Sequence, residues 1–193
     1  RMISELGGHA PVLIFADADI EAVALSAARA KYRNAGQICT SPTRFFVHES
    51  KHDRFAEVFA EAARTIKVGD GRLASTQMGP LAHARRITAI EAFVEDAHAR
   101  GTKGAAGGNR INNQGFFFEP TLLVHADDTS LAMNEEPFGP LAVTQPFTST
   151  EEAFRLANRL PFGLAAYAFT HDSRIVSEVA ERVESGNVVI NHW

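Results

Sequence analysis

The sequence lacks the features of several classes of protein. It contains one cysteine among 193 residues, which excludes an internal disulfide framework. Its apolar runs, such as residues 12–16, are far shorter than the roughly 18 residues that cross a bilayer. The 19 basic and 23 acidic residues are mixed along the chain and give a net charge of −4. We therefore expect no membrane span, no nucleic-acid partner and a reducing, cytoplasmic setting.

Hydrophobic periodicity is the strongest structural signal in the chain. The strand-like run PVLIFA (11–16) precedes a helical pattern over 17–36, and RFFVH (44–48) precedes a second helical pattern over 50–66. Alternation of this kind continues to residue 191 and includes a helical pattern over 81–101 and an apolar stretch over 115–124. Several strands are apolar on both faces, which is typical of a mainly parallel sheet with helices on each side. The predicted fold class is α/β, a three-layer single domain over 1–193.

Helix boundaries are predicted from capping residues. Asp17 or Asp19 is expected to begin the first helix by accepting hydrogen bonds from backbone N–H groups. Gly36 is expected to end that helix in the left-handed conformation. Ser50 and Asp53 resemble a capping box, which predicts that the second helix begins at Ser50.

Two motif matches are judged to be coincidental. The stretch HESKH (48–52) matches the zinc-protease spacing, but His48 ends a strand pattern and Ser50 is the expected cap, so the two histidines should not share a helical face. No metal site is predicted. The glycines of 101–108 follow a helix, whereas a dinucleotide fingerprint must follow a strand, so they are interpreted as a helix stop and a turn.

Cys39 is the principal candidate for a functional residue. A lone cysteine is commonly an inert buried residue. In NAGQICTSP (34–42), however, it lies in a predicted loop whose backbone N–H groups could stabilise a thiolate or an oxyanion. A covalent intermediate on this thiol would need a base, and Glu5 in ELGG (5–8) could supply one at the carboxyl edge of the sheet. Taken alone, Glu5 could equally be a solvated acid.

Three motifs together resemble those of the NAD(P)-dependent aldehyde dehydrogenase superfamily. They are ELGGHAP (5–11), NAGQICTSPTR (34–44) and NEEPFGPL (134–141), in this order. The resemblance extends over essentially the whole chain and implies the family's catalytic domain. It further implies that a dinucleotide-binding domain precedes Arg1 and an oligomerisation segment follows Trp193, in a parent protein that forms a homo-oligomer. Position 9 is histidine where lysine is common in the family.

The resemblance assigns roles to four residues. Cys39 matches the nucleophile that forms a thiohemiacetal and then a thioester, and its backbone N–H matches half of the oxyanion hole. Glu5 matches the general base that activates the hydrolytic water. Glu136 and Phe138 match the residues that bind the nicotinamide ribose and pack near the ring of NAD or NADP.

The presence of Glu5 favours hydrolysis of the thioester over acyl transfer to coenzyme A. The expected activity is oxidation of a small-molecule aldehyde to the carboxylic acid, with a semialdehyde as one candidate substrate. A cysteine-dependent acyl hydrolase that uses a histidine base is one alternative. The other is a structural fragment that is inactive when isolated.

Overall fold

The protein is described by a computed structural model that covers residue 2 and residues 5–193. Its centre is one sheet of seven strands in the order β3-β4-β5-β2-β1-β6-β7. The strands are β1 (Ala10–Ile14), β2 (Pro42–His48), β3 (Lys103–Ala106), β4 (Thr121–Val124), β5 (Leu141–Phe147), β6 (Ala166–Phe169) and β7 (Val188–Ile190). Only the β3–β4 pairing is antiparallel among these strands, so the predicted mainly parallel sheet is confirmed.

Helices connect the parallel strands. They are α1 (Ile20–Tyr32), α2 (Glu49–Thr65), α3 (Ala84–Ala99), α4 (Leu131–Asn134), α5 (Thr150–Ala157) and α6 (Ser173–Arg182). A short 3-10 turn, Arg33–Gly36, follows α1. Within the described part of the chain, none of these helices is both long and apolar enough to cross a membrane.

Neighbouring residues of β2 show that helices cover both faces of the sheet. The Phe45 ring packs against Phe55 and Phe59 of α2. The Arg44 guanidinium donates to the carbonyl groups of Leu156 and Ala157 in α5. Because successive side chains of a strand point to opposite faces, α2 and α5 lie on opposite sides of the sheet. The predicted three-layer arrangement is therefore confirmed.

The predicted N-terminal cap was right for α1 and wrong for α2, and the predicted end of α1 at Gly36 was wrong, because α1 ends at Tyr32. Asp19 caps α1 by accepting from the Ala22 backbone N–H. Helix α2 begins at Glu49, not at Ser50, and its cap is His48, whose Nδ1 accepts from the Ser50 backbone N–H at 3.3 Å. A histidine ring nitrogen thus performs the role that the capping-box pattern assigned to a serine hydroxyl.

Two other predictions about the chain needed correction. Residues 101–108 are more than a helix stop and a turn: Gly101 has φ +82 after α3, but the edge strand β3 then pairs antiparallel with β4. The apolar stretch 115–124 forms a strand only over Thr121–Val124. Propensity alone could not reveal β3, because its KGAA sequence becomes a strand through pairing with β4.

Candidate active site

The three motif loops lie at the amino edge of the sheet. The loop of Glu5 leads into β1, the loop of Cys39 leads into β2, and the loop of Glu136 leads into β5. These three strands are consecutive neighbours in the sheet and run parallel. The expectation that Glu5 projects at the carboxyl edge of the sheet was wrong. Residues at that edge follow a strand, whereas Glu5 precedes β1.

A left-handed stretch of backbone directs the chain from α1 toward Cys39. Asn34, Ala35 and Gly36 have φ values of +52, +53 and +68. This conformation is costly for alanine, which has no compensating side-chain hydrogen bond. At Gly36 a Cβ atom would collide with the Gly139 carbonyl oxygen. Gly36 is left-handed as predicted, but it ends the 3-10 turn that follows α1 and does not end α1 itself. Because it has no side chain, the Cys39 loop can contact the Glu136 loop.

Gly8 connects the three motifs. Its backbone N–H donates to Glu136 Oε1 at 2.8 Å. A Cβ atom at Gly8 would overlap the Cys39 carbonyl oxygen. The loop that carries Glu5 is therefore in direct contact with the Cys39 loop and with the Glu136 side chain.

Cys39 is a free, partly exposed cysteine in a tight turn. The turn is closed by a hydrogen bond from the Ser41 N–H to the Ile38 carbonyl, at 2.9 Å. Within the described part of the chain, the backbone N–H groups of Cys39 and Thr40 donate to no acceptor. Tyr167 Oη tethers the turn from β6 by donating to the Thr40 carbonyl at 2.7 Å. Two N–H groups thus remain available beside the thiol.

A buried lysine lies beneath the Cys39 loop. The Lys31 side chain is fully buried, and its Nζ is 3.3 Å from both Ser41 Oγ and Thr43 Oγ1. Burial lowers the pKa of Lys31 to about 7, and the Glu136 carboxylate opposes that shift. Lys31 was not identified from the sequence, where it is one more lysine on a helical pattern. Its fully buried position is what singles it out.

Arg44 and His9 hold the other end of the Glu5 loop. The buried Arg44 donates its Nε–H to the His9 carbonyl at 3.0 Å. The His9 ring is buried against Phe162, and burial together with the positive charges of Arg44 and Lys31 holds its pKa well below the usual range. A neutral histidine at position 9 therefore avoids placing a third buried positive charge beside Arg44 and Lys31.

A cavity of about 320 Å³ opens beside the Cys39 turn. Ile38 and Thr40, which flank the cysteine, are among the residues that line it. Tyr167 and Trp193 also line it, and Arg29 and Arg33 contribute positive charge. No histidine is among the described residues that line it.

The remaining predicted residues occupy the same edge. Glu5 is exposed, three residues before Gly8. Glu136 is half-buried and held by Gly8, and Phe138 is half-buried with φ +42. The structure thus brings together the loops of all four predicted site residues.

The H-E-x-x-H spacing does not form a histidine pair on one helical face. His48 is the cap of α2 and its ring contacts Ser50, whereas His52 lies inside α2. His52 instead approaches Asp53 and His125, a group that the sequence analysis missed. No local signal could have found it, because His125 follows β4 and meets α2 only in the folded chain.

The chain belongs to the aldehyde dehydrogenase family, whose family model matches residues 1–193. It is 42% identical over 191 residues to a probable NADP(+) succinate-semialdehyde dehydrogenase of Sinorhizobium fredii, covering 99% of this chain and 39% of the relative. It is 41% identical over 191 residues to a putative 4-(hydroxymethyl)benzenesulfonate dehydrogenase of Comamonas testosteroni, covering 99% of this chain and 40% of the relative.

A solved structure shows the same fold. It is a cysteine-to-alanine mutant of aldehyde dehydrogenase C from Pseudomonas syringae, in complex with NAD+ and octanal. The TM-score is 0.93 at 31% identity, and the match covers 98% of this chain and 40% of that one. This chain therefore spans about 40% of the length of these relatives.

Proposed function

We propose that this chain supplies the nucleophile and the general base for NAD(P)-dependent oxidation of an aldehyde to a carboxylic acid. The contact of Gly8 with both Glu136 and Cys39 is the observation that carries this proposal. It unites the three family motifs in one site.

Cys39 begins the reaction by adding its thiolate to the aldehyde carbon, which places negative charge on the former carbonyl oxygen. The N–H groups of Cys39 and Thr40, which have no acceptor in the described structure, are suited to stabilise that oxyanion. After oxidation of the thiohemiacetal, Glu5 removes a proton from water. The water oxygen then adds to the thioester carbon, and the acid leaves as the thiolate is regenerated.

The cofactor fits the Glu136 loop. The Glu136 carboxylate is fixed by the Gly8 N–H, and its oxygens suit the hydroxyl groups of a nicotinamide ribose as hydrogen-bond acceptors. Phe138 is half-buried on the same loop and supplies an apolar surface for a flat ring. When bound there, NAD(P)+ would supply the hydride acceptor for oxidation of the substrate carbon.

An aldehyde with an anionic group suits the cavity that Ile38 and Thr40, the two neighbours of Cys39, help to line. Arg29 and Arg33 provide positive charge there, and Tyr167 and Trp193 provide apolar surface. Arg33 is also close enough to the Tyr167 hydroxyl to oppose the rise in the Tyr167 pKa that burial causes. The substrates that the two relatives' names give, a succinate semialdehyde and a benzenesulfonate, both carry an anionic group.

We further propose that the full protein contains a dinucleotide-binding domain and an oligomerisation segment outside this chain. The support is that relatives matched over 99% of this chain are matched over about 40% of their own length. The homo-oligomer that the family resemblance implies is part of the same proposal. The protein should work in a reducing compartment such as the cytoplasm, since the chemistry needs Cys39 as a free thiol.

The two roles are separable in the full-length protein by rapid mixing. Cys39→Ser should abolish NAD(P)H formation, because a serine hydroxyl is rarely ionised near neutral pH. Glu5→Gln should give a burst of about one NAD(P)H per active site and then a slow steady state, because hydride transfer precedes deacylation. A normal steady-state rate in Glu5→Gln would eliminate Glu5 as the hydrolytic base.

The substrate proposal has its own test. Arg33→Gln should raise KM for succinate semialdehyde by about tenfold or more and leave KM for butanal unchanged, because only the first carries a carboxylate. Equal changes for the two aldehydes would refute recognition of the anion by Arg33. Arg155→Gln is the matched control, since this exposed arginine lies on α5 outside the cavity.

A further inference from the structure

His52, Asp53 and His125 form a group of possible metal ligands. Each offers one nitrogen or oxygen atom, and these atoms lie within 4.8 Å of one another. His52 Nδ1 is 3.4 Å from Asp53 Oδ1, and His125 Nε2 is 3.9 Å from the same oxygen. The two imidazole rings are 4.4 Å apart between centroids. Two histidines and a carboxylate are ligands that borderline divalent ions such as Zn²⁺ prefer.

The His52 ring is oriented for coordination by its second nitrogen. Its side chain is buried, and Nε2 is 3.0 Å from the hydroxyl of the fully buried Thr144 in β5. In the tautomer in which Nε2–H donates to this hydroxyl, the lone pair of Nδ1 faces Asp53 and is available to a metal ion.

The other two ligands are free to close around an ion. The side chains of Asp53 and His125 are 95% and 58% exposed, and both border a cavity of about 530 Å³. Zn–N bonds of about 2.0–2.1 Å in a tetrahedral site require ligand atoms roughly 3.3 Å apart. Small rotations of the exposed Asp53 and His125 side chains would bring the three ligand atoms from within 4.8 Å to that separation. The cation of Arg64 borders the same cavity but donates to the Ala105 carbonyl.

We propose that His52, Asp53 and His125 bind one divalent transition-metal ion, with water completing the coordination. The expectation of no metal rested on the spacing of His48 and His52, whereas this site joins His52 to a histidine much later in the chain. His125 follows the carboxyl end of β4, so the ion lies at the edge of the sheet opposite the loops of Cys39 and Glu136. The bound ion would link α2 to the segment that follows β4. It would take no part in catalysis.

Zinc titration calorimetry on the full chain tests the site. Cys39→Ser is used as the parent, because a free thiol would itself bind zinc. We expect one zinc ion per parent chain and a rise in melting temperature with zinc. Asp53→Asn and His125→Asn should each weaken binding by about tenfold or more, because each loses a ligand. Asparagine suits position 125, where φ is +50.

Two histidine variants serve as matched controls. His48→Ala removes the other histidine of the H-E-x-x-H spacing, and His83→Ala removes an exposed histidine that precedes α3. Both should bind zinc as the parent does. Absence of binding by a folded parent, or parental affinity in His125→Asn and Asp53→Asn, would overturn the proposal. A loss of affinity in His48→Ala equal to that in His125→Asn would overturn it as well. Melting curves without zinc establish that each variant is folded.

Discussion

The Gly8 backbone lies against the Cys39 carbonyl oxygen so closely that no side chain fits between them. The same glycine donates its N–H to Glu136. Its lack of a side chain is therefore a condition for bringing the three loops together. Because the obstructing atom belongs to the backbone, a rotamer change cannot relieve the clash.

Gly8→Ala should lower the free energy of unfolding by about 2 kcal/mol or more, because the added methyl group displaces the Cys39 turn. In the full-length protein, the same change should reduce kcat for aldehyde oxidation. Urea unfolding and steady-state kinetics measure the two effects. Gly71→Ala is the matched control, since a Cβ there meets nothing within 4 Å. Equal stability of the two variants would contradict the close contact.

Tyr167→Phe tests the tether on the Cys39 turn. Loss of the hydroxyl leaves the Thr40 carbonyl without its 2.7 Å hydrogen bond and should cost about 1 kcal/mol of stability. The phenylalanine ring preserves the packing against Trp193, so the sheet should remain intact. In the full-length protein, the fold decrease in kcat should be larger than the fold change in KM for the cofactor. An unchanged kcat would show that the tether does not position the turn.

Lys31→Met should change how stability depends on pH. The folded-state pKa of Lys31 is about 7 against an ordinary value of 10.5, so the unfolded state binds more protons between these pH values. The contribution of Lys31 to stability is therefore full above pH 10.5 and falls as the pH drops toward 7. The stability of the wild type relative to Lys31→Met should rise by about 2 kcal/mol from pH 7 to pH 9.

Urea unfolding at several pH values measures that difference. Lys67→Met, at an exposed lysine, should show a constant difference from the wild type over the same range. A constant difference for Lys31→Met as well would contradict the lowered pKa of Lys31.

Arg44→Met should destabilise the protein by roughly 2–5 kcal/mol, because it leaves buried carbonyl groups without their donors. Those carbonyls belong to His9, Leu156 and Ala157. Arg155→Met removes an exposed arginine from α5 and should cost less than about 1 kcal/mol. Thermal unfolding compares the two variants, and similar costs would argue against the anchoring role of Arg44.

The fold class and the loops of the candidate site were predicted correctly from the sequence. The edge of the sheet at which those loops lie was not. Helices and strands of strong period, such as those around Phe55 and Phe59, were recognisable because one face must be buried. The edge of the sheet was predicted wrongly, although the strand-like run 11–16 already followed Glu5 in the sequence and so placed it at the amino end of a strand. The rule that ligands bind at the carboxyl ends of parallel strands was applied without regard to this order, and the structure confirms that Glu5 precedes β1.

Residues that act through tertiary contacts were beyond the reach of local patterns. Lys31 and Arg44 are fully buried basic residues, although such residues are ordinarily exposed. His48 became a helix cap because the structure gives its ring the geometry to accept from Ser50. His125 acquires metal-binding partners only when β4 is placed beside α2. Each case depends on contacts between segments distant in sequence.

Assembly of the site from loops before β1, β2 and β5 has a consequence for folding. Two of these strands adjoin along the chain, but β5 must arrive from far downstream and pair beside β2. Closing such a long loop is slow, because its entropy is lost before the pairing contributes any stability. The surroundings of Cys39 should consequently reach their native structure last during refolding. A thiol-specific probe would then detect a native-like sheet edge later than circular dichroism detects the helices.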